Sequence, residues 1–465
     1  MSVAADPKIL LLLGDLFPYA TGIVTPENDA LFARLQQELP ITLHRYPSGA
    51  AFNGWTVPQS WRAERATVSR DGRLLFDAGA HPLGVAAYSK SFQGVVDFDT
   101  LQAHVVTKPE LPSAFVYHCS WPYRPWQADW AISIPYDVFR TFGPGSYEVD
   151  LRTVFEPGTM IVGDFEHRGA SNRTIVFNAH TCHPRQANDD MAGVAVLVRL
   201  FQWLQTERTY YSYRLVLGPE HFGTVFYLRD RPHAELEKMV GGAFAEMPGT
   251  SGPVKLASTF LGAQPIDQVF RHAARFYSRA AVNVPWRQGA GNDETVWEAP
   301  GYEVPFVEVS RSLDLLRPFP EYHTSLDDLD LIDDAQLVEF FEVFRRAVEI
   351  LEHNAVMHRR FTGLMCLSNP IYDLYQERPD PAIEKHLDAD SEKWGYLADC
   401  LLRYFDGATT ILDVADRHDL PFDRVHRYVQ AFADKGLVDL EHAPIRRVPI
   451  SPLGAHEIAR AKAGV

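Results

Sequence analysis

The sequence predicts an α/β protein: a mostly parallel-sheet core, an inserted small β-rich module and a C-terminal domain of the winged-helix type. Strand and helix patterns alternate from about residue 172 to residue 354, short alternating segments occupy 50–115, and three short helical patterns follow residue 390. Strands that alternate with helices favour a parallel sheet covered on both faces. We expect the core to comprise 1–49 and 116–384.

Composition narrows the class of protein. The chain has 465 residues, 46% hydrophobic and 22% charged, which suits a multidomain globular protein. Its formal net charge of −16 argues against broad binding to nucleic acids or to anionic membranes. The four cysteines are widely spaced, and no run reaches the roughly 18 apolar residues of a membrane span. We therefore expect a cytoplasmic protein with reduced thiols.

The first half of the chain changes its pattern twice. The first fifty residues are predicted to be helical, most clearly at 26–39, whereas 50–115 has short strand patterns separated by Gly and Asp. The main strand patterns follow, and each is an apolar run typical of a buried strand. They cover 174–180, 211–218, 240–247 and 304–310, with helical patterns at 191–205 and 332–354.

The end of the chain is predicted to form a separate domain over 385–465. Three helical patterns precede residues 437–452, which are predicted to form a two-stranded wing. The second helix of a winged helix often contacts DNA, and here it carries Arg424 and Arg427. A DNA-binding surface is normally basic, but this segment is slightly acidic. We therefore expect contacts with protein, such as a second copy of the chain, instead of nucleic acid.

Residues that can bind a metal follow several predicted strands. Because ligands bind at the carboxyl ends of parallel strands, side chains in these places can meet. Zinc accepts imidazole and carboxylate ligands, and a further carboxylate can serve as general base. Taken alone, each of these residues is equally typical of a helix cap, a buried core or a solvated loop. Taken together, their positions and order along the chain favour a metal site. The candidates are His180, Cys182, His183, Asn188, Asp189, Asp190, Glu220, His221, Glu246, Asp293, Glu294 and His323.

The same motifs resemble a known family. HTCHPRQANDDMAG, GPEHFG, AEMPG, GNDE and EYHTSLDDLD are similar, in this order, to the motifs of M28-type zinc aminopeptidases. The resemblance is closer to the DUF4910 (formerly DUF2172) branch of aminopeptidase-like proteins. It extends over nearly the whole chain, including the inserted module and the winged helix. It implies an aminopeptidase-like fold and a hydrolase that uses one or two zinc ions.

The resemblance also implies roles for single residues. Glu220 corresponds to the general base, and Asp293 has a supporting catalytic role. Asp189 corresponds to a carboxylate that can bridge two metals. The first histidine ligand is His183 or His180, with His183 preferred. The metal ligands implied in total are His183, His180, Asp189, Glu246, His323 and His221.

Three departures from the family pattern affect the predicted function. Cys182 occupies the position of an aspartate that would orient a histidine ligand, and His221 replaces the second Glu of a pair. Glu246 stands where an Asp ligand is usual and is longer by one methylene. The leading hypothesis is a zinc hydrolase in which an activated water attacks an amide bond. Its substrate would be a small peptide, or an amide or acyl group on a sugar. The alternatives are a non-catalytic metal-binding or ligand-binding protein and a regulator that acts through the winged helix.

Overall fold

The structure, a computed structural model, describes residues 7–313, 317–375 and 390–449. The helices are α1 Pro7–Leu16, α2 Glu27–Leu35, α3 Phe98–Ala103, α4 Tyr136–Phe139, α5 Ala192–Leu204, α6 Phe222–Arg229, α7 His233–Leu236, α8 Pro265–Tyr277, α9 Glu294–Trp297, α10 Asp334–His353, α11 Ser391–Cys400, α12 Ile411–His418 and α13 Phe422–Asp434. The strands are β1 Thr42–Pro47, β2 Ala51–Phe52, β3 Trp55–Thr56, β4 Ser60–Arg70, β5 Arg73–Asp77, β6 Phe92–Asp97, β7 Val105–Val106, β8 Ile132–Ser133, β9 Ser146–Glu156, β10 Thr159–His167, β11 Thr174–His180, β12 Ser212–Gly218, β13 Met239–Glu246, β14 Val254–Ala257, β15 Ala281–Val284, β16 Phe306–Ser310, β17 Ala355–Arg359, β18 Asp406–Thr410 and β19 Val438–His442.

A central sheet of eight strands confirms the predicted α/β core. Its order is β1-β10-β12-β11-β13-β16-β14-β15. Strands β12, β11, β13 and β16 run parallel to one another, and the antiparallel pairs lie toward the two edges. Every residue of β11 and β13 is buried, as expected where helices cover both faces. The carboxyl ends of β11, β12 and β13 therefore open on one edge of the sheet.

Two layers of helices bury the sheet. Helices α1, α5, α8 and α10 pack on one face, where Phe177 of β11 meets Phe270 and Phe344. Helices α6 and α9 cover the other face, where the Trp297 ring stacks on Phe306 with 4.9 Å between centroids. Within the three described ranges, no helix combines the length and apolar character needed to cross a bilayer.

The N-terminal region differs from its prediction. Residues 7–16 and 27–35 are helical as expected, but Thr42–Pro47 forms strand β1 at the edge of the central sheet. This strand pairs antiparallel with β10 and alternates only weakly between buried and exposed positions. Its short polar sequence, TLHRYP, gave no strand periodicity, and its structure follows from pairing with β10.

The predicted β-rich module contains a four-stranded antiparallel sheet of order β5-β4-β9-β6. Three strands lie within the predicted range of 50–115, but β9, at Ser146–Glu156, lies outside it. Strand β9 pairs with both β4 and β6, and Pro157–Gly158 then leads into β10 of the central sheet. The small sheet is therefore directly continuous with the core.

The C-terminal helices α11, α12 and α13 were all predicted, whereas the two-stranded wing is absent over 437–449. Strand β19 pairs with β17, which directly follows α10, and the remaining wing residues, 450–452, lie outside the described residues. The region docks on α8 of the core. There the His272 ring accepts a hydrogen bond from the Phe422 N–H (3.0 Å) and lies 2.6 Å from an Asp416 oxygen.

The close packing of the central strands predicts a strong effect of Gly242→Ala. A Cβ at Gly242 in β13 would lie 2.1 Å from the Phe306 ring and 2.5 Å from the Val176 carbonyl oxygen. Because the Val176 backbone belongs to the neighbouring strand and the buried Phe306 ring is stacked on Trp297, we expect a loss of about 1–3 kcal/mol in the free energy of unfolding, measured with urea. The control is Gly14→Ala in α1, where a Cβ meets nothing within 4 Å. Equal stability of the two variants would contradict this packing.

Candidate metal centre

The candidate metal centre lies where β11 and β13 end. Strand β11 ends at His180, and the chain then passes His183 and a wide turn, Ala187–Met191, that leads into α5. Strand β13 ends at Glu246. The loop before α10 brings His323 to the same place. These side chains therefore come from three separate segments of the chain: 180–191, the end of β13 and the loop before α10.

One group of potential ligands consists of His183, Asp189 and His323. The Nε2 atoms of His183 and His323 lie 3.8 and 3.4 Å from Oδ2 of Asp189. Two ligands of a tetrahedral zinc ion, each bound at 2.0–2.1 Å, are about 3.4 Å apart. His183 Nε2 and Asp189 Oδ2 are buried and have no hydrogen-bond partner among the described residues. The spacing and the two unpaired atoms both fit a zinc ion.

A second group consists of His180, Asp190 and Glu246. The Nε2 atom of His180 lies 3.4 Å from Oε1 of Glu246 and 3.0 Å from Oδ1 of Asp189. The two oxygens of Asp189 thus face different groups. This is the arrangement of a carboxylate that can bridge two metal ions.

The loop around Asp189 is held by two further carboxylates: Asp190, which is among the candidates predicted from the sequence, and Asp327, which is not. Asp327 accepts hydrogen bonds from the N–H groups of Asn188 (2.7 Å) and Asp189 (3.0 Å). Asp190 accepts from the N–H groups of Met247 and Gly193, and a Cβ at Gly193 would collide with its carboxylate. Since these contacts involve backbone atoms of distant segments, no sequence motif indicates them.

Glu246 is oriented by a residue from another loop. Its Oε2 accepts a hydrogen bond of 2.6 Å from the Asn292 side chain, which leaves Oε1 directed at His180. Asn292 was not predicted, although it stands next to the candidate Asp293 in GNDE. Adjacent polar residues in a Gly-rich loop were the only signal for it.

Glu220 and His221 form a pair beside the two groups. The His221 Nδ1 lies 3.2 Å from Glu220 Oε1 and 3.8 Å from Asp293 Oδ1. Asp293 also accepts hydrogen bonds from the His221 N–H (2.6 Å) and from the Thr224 hydroxyl. His221, a predicted metal ligand, therefore lies outside both ligand groups and contacts the predicted base, Glu220. The Glu220 side chain remains 28% exposed, which leaves it open to solvent.

Burial and close neighbouring groups together determine the protonation of the centre. Burial raises the pKa values of Asp190 and Glu246 well above their ordinary range. It also lowers the pKa of His183 to about 3, so this imidazole is neutral and able to bind a metal. At Glu220 the pairing with His221 outweighs burial and lowers the pKa of the carboxyl. At His180 burial is outweighed by the adjacent Cys182, Glu246 and Asp189, which raise the pKa of its imidazole. Several buried carboxylates beside imidazoles are a donor set that suits a divalent cation.

Aromatic rings fix the imidazoles and border the centre. Tyr117 stacks on His183 with 4.5 Å between centroids, and Tyr322 stacks on His323 at 3.9 Å. A cavity of about 270 Å³ adjoins the centre. Its lining includes Trp61, Tyr88, Tyr117 and Cys182. The small sheet contributes Trp61, so this module borders the site.

The fold and the site together define an aminopeptidase-like α/β protein with a candidate metal centre at its strand ends. The chain belongs to the family described as Domain of unknown function (DUF4910), which matches residues 11–354. A curated protein from Clostridium acetobutylicum is 25% identical over 90% of this chain and 93% of its own. It is named "Putative polysaccharide biosynthesis protein with aminopeptidase-like domain".

Solved structures share the fold. A crystal structure of a "putative peptidase" from Clostridium acetobutylicum has a TM-score of 0.77 and 23% identity, covering 94% of this chain and 96% of its own. A zinc aminopeptidase from Bacillus subtilis has a TM-score of 0.52 and 13% identity, covering 75% of this chain and 95% of its own. At these identities the likeness establishes the fold.

The buried Glu294 predicts a pH-dependent stability. Burial, together with the nearby Glu308, raises the pKa of Glu294 to about 8, from an ordinary value of 4.5. Folding therefore favours the protonated form, so the contribution of Glu294 to stability is full below pH 4.5 and is lost as the pH rises to 8. Glu294→Gln stays neutral and should not lose stability in this window.

The measurement is the free energy of urea unfolding across this pH range, in the presence of a chelator. We expect the wild type to lose stability relative to Glu294→Gln as the pH rises. Glu64→Gln, at an exposed position, is the control and should follow the wild type. Parallel curves for the wild type and Glu294→Gln would contradict the raised pKa.

Proposed function

We propose that the protein is a zinc-dependent hydrolase of the aminopeptidase type that cleaves an amide bond. The observation that supports this most directly is Asp189, whose two oxygens face two groups of histidine and carboxylate side chains. The aminopeptidase-like fold and the name of the 25% identical relative agree with it.

In this proposal His183, Asp189 and His323 would hold one zinc ion, and His180 and Glu246, with Asp189, would hold a second. Zinc, when bound, polarises the amide carbonyl and makes water more acidic. The remaining steps belong to side chains of the chain itself. The Glu220 carboxylate accepts a proton from the attacking water and returns it to the leaving amine nitrogen.

His221 and Asp293 support the base. The imidazole of His221 pairs with Glu220 and favours its ionised form, the form that can accept a proton. Asp293 holds the His221 backbone through a hydrogen bond of 2.6 Å. His221 thus acts in this proposal as a positioning residue for Glu220.

The substrate in this proposal is a small peptide, or an amide or acyl group on a sugar. The aromatic side chains of the adjoining cavity can pack against an apolar group or a sugar ring. The polysaccharide biosynthesis named for the relative favours the sugar-linked alternative. The activity of Glu220→Gln distinguishes this hydrolase from a non-catalytic metal-binding protein.

Glu220→Gln should retain zinc and lose turnover, because the amide cannot accept a proton. We expect wild type and variant to hold the same amount of zinc by elemental analysis. Turnover of peptide amides or N-acyl sugars should fall by at least about 100-fold, the lower end of general-base contributions. Glu64→Gln, at an exposed site, is the matched control. Full activity of Glu220→Gln would exclude this base, and absence of zinc from both proteins would exclude the metal centre.

We further propose that the C-terminal region is a winged-helix variant that makes protein contacts. Arg427 lies 3.5 Å from Asp423, and Arg424 lies 3.8 Å from Asp390, so acidic neighbours offset the basic side chains of α13. A gel-shift titration with random duplex DNA at low salt should show no complex. A complex that Arg424→Glu abolishes would favour the regulatory alternative.

A further inference from the structure

The thiol of Cys182 lies between His180 and His183, in the segment that follows strand β11. Its sulfur is 3.3 Å from Nδ1 of His180 and 3.3 Å from Nδ1 of His183. Cys182 is buried at 9% exposure, so water competes little for these contacts. Among the described residues, neither Nδ1 atom has another hydrogen-bond partner. One sulfur atom therefore serves both imidazoles.

The opposite nitrogen of each ring faces the candidate ligands. His180 Nε2 lies 3.0 Å from Asp189 Oδ1, and His183 Nε2 lies 3.8 Å from Asp189 Oδ2. A neutral imidazole carries its single proton on one nitrogen, and a metal binds the other. A hydrogen bond from Nδ1–H to sulfur therefore leaves the Nε2 lone pair free on the metal side of each ring.

We propose that Cys182 is the positioning residue for both imidazoles: its sulfur accepts a hydrogen bond from each Nδ1–H and directs both Nε2 atoms to the metal. This inference rests on the metal centre of the proposed function. Partners of this kind usually orient one ligand each and are carboxylates or carbonyls. Here the sequence lacks the expected aspartate, and a single thiol supports the ligands of two groups.

Sulfur is well suited to this double contact. The centroids of the two rings are 6.4 Å apart, so an atom between them must reach both at once. Hydrogen bonds to oxygen are commonly about 2.9 Å long, shorter than either contact here. The C–O bond of serine is also shorter than the C–S bond of cysteine. A serine oxygen would therefore accept a hydrogen bond from one ring and lose contact with the other. Other contacts fix different parts of the loop: the Thr21 hydroxyl donates to the His183 carbonyl, and Tyr117 packs on the ring face.

The test uses the full chain with three substitutions. Cys182→Val keeps apolar volume without an acceptor, Cys182→Ala removes both, and Cys182→Ser keeps a shorter acceptor. Zinc affinity is measured by competition with a chromophoric chelator after metal removal. We expect the Val and Ala variants to bind zinc about 10–100-fold more weakly, and Ser to restore part of the affinity. Cys366→Ser, at an exposed cysteine, is the control and should bind as wild type does.

A second measurement does not depend on zinc. In metal-free protein labelled with ¹⁵N-histidine, the ring nitrogens report which tautomer each imidazole adopts. We expect the Nδ1–H form for His183, the neutral imidazole of the two, in the wild type, and mixed tautomers of this ring in Cys182→Val. Wild-type zinc affinity in Cys182→Val, or unchanged tautomers, would overturn the proposal. Absence of zinc binding by the wild type would instead contradict the proposed function, while the tautomers would still decide the role of Cys182.

Discussion

The main constraint on the structure is the free-energy cost of burying acidic side chains close to the ends of β11 and β13. Asp189, Asp190 and Glu246 are all at most 2% exposed, and isolated charges in such a place are strongly unfavourable. Histidine contacts, backbone N–H groups and the Asn292 amide compensate part of this cost. A bound cation would compensate most of the remainder. Parallel strands make this possible, because their ends bring distant segments to one edge.

The inner strands could be predicted because burial on both faces leaves a continuous apolar run. Strand β11 was predicted at 174–180 and lies at those residues. Strands such as β10 and β14 were missed, because pairing with their neighbours determines them more than their own pattern does. The two-stranded C-terminal wing was predicted from the local pattern of 437–452, but β19 pairs with β17, which lies before the C-terminal helices.

The residues of the candidate site also divide into those that could be predicted from the sequence and those that could not. His180, His183 and Glu246 could be predicted because each stands at or just after a strand. Sequence alone left His180 and His183 as alternatives, whereas the fold brings both to Asp189 from opposite groups. Asp327 could not be predicted, because its contacts are backbone N–H groups 138 and 139 residues away. Contacts of this kind arise from tertiary structure and leave no local pattern.

The shared fold does not determine the reaction. A zinc aminopeptidase with only 13% identity has the same architecture, so the chemistry depends on the side chains at the strand ends. In this chain the side chains at the strand ends include Cys182, which contacts His180 and His183, and His221, which contacts Glu220.

The family match ends at Asn354, and strand β17 begins at the next residue. Because β17 is the middle strand of the C-terminal sheet, this boundary divides a continuous structure. Asn354 itself accepts from the Leu412 N–H and, through its carbonyl, from the Ala443 N–H. A chain shortened to the matched segment would expose the apolar surface of α8 and α10 to water. The C-terminal region is therefore a structural part of the core as well as an addition to it, and a soluble fragment for experiments must retain it.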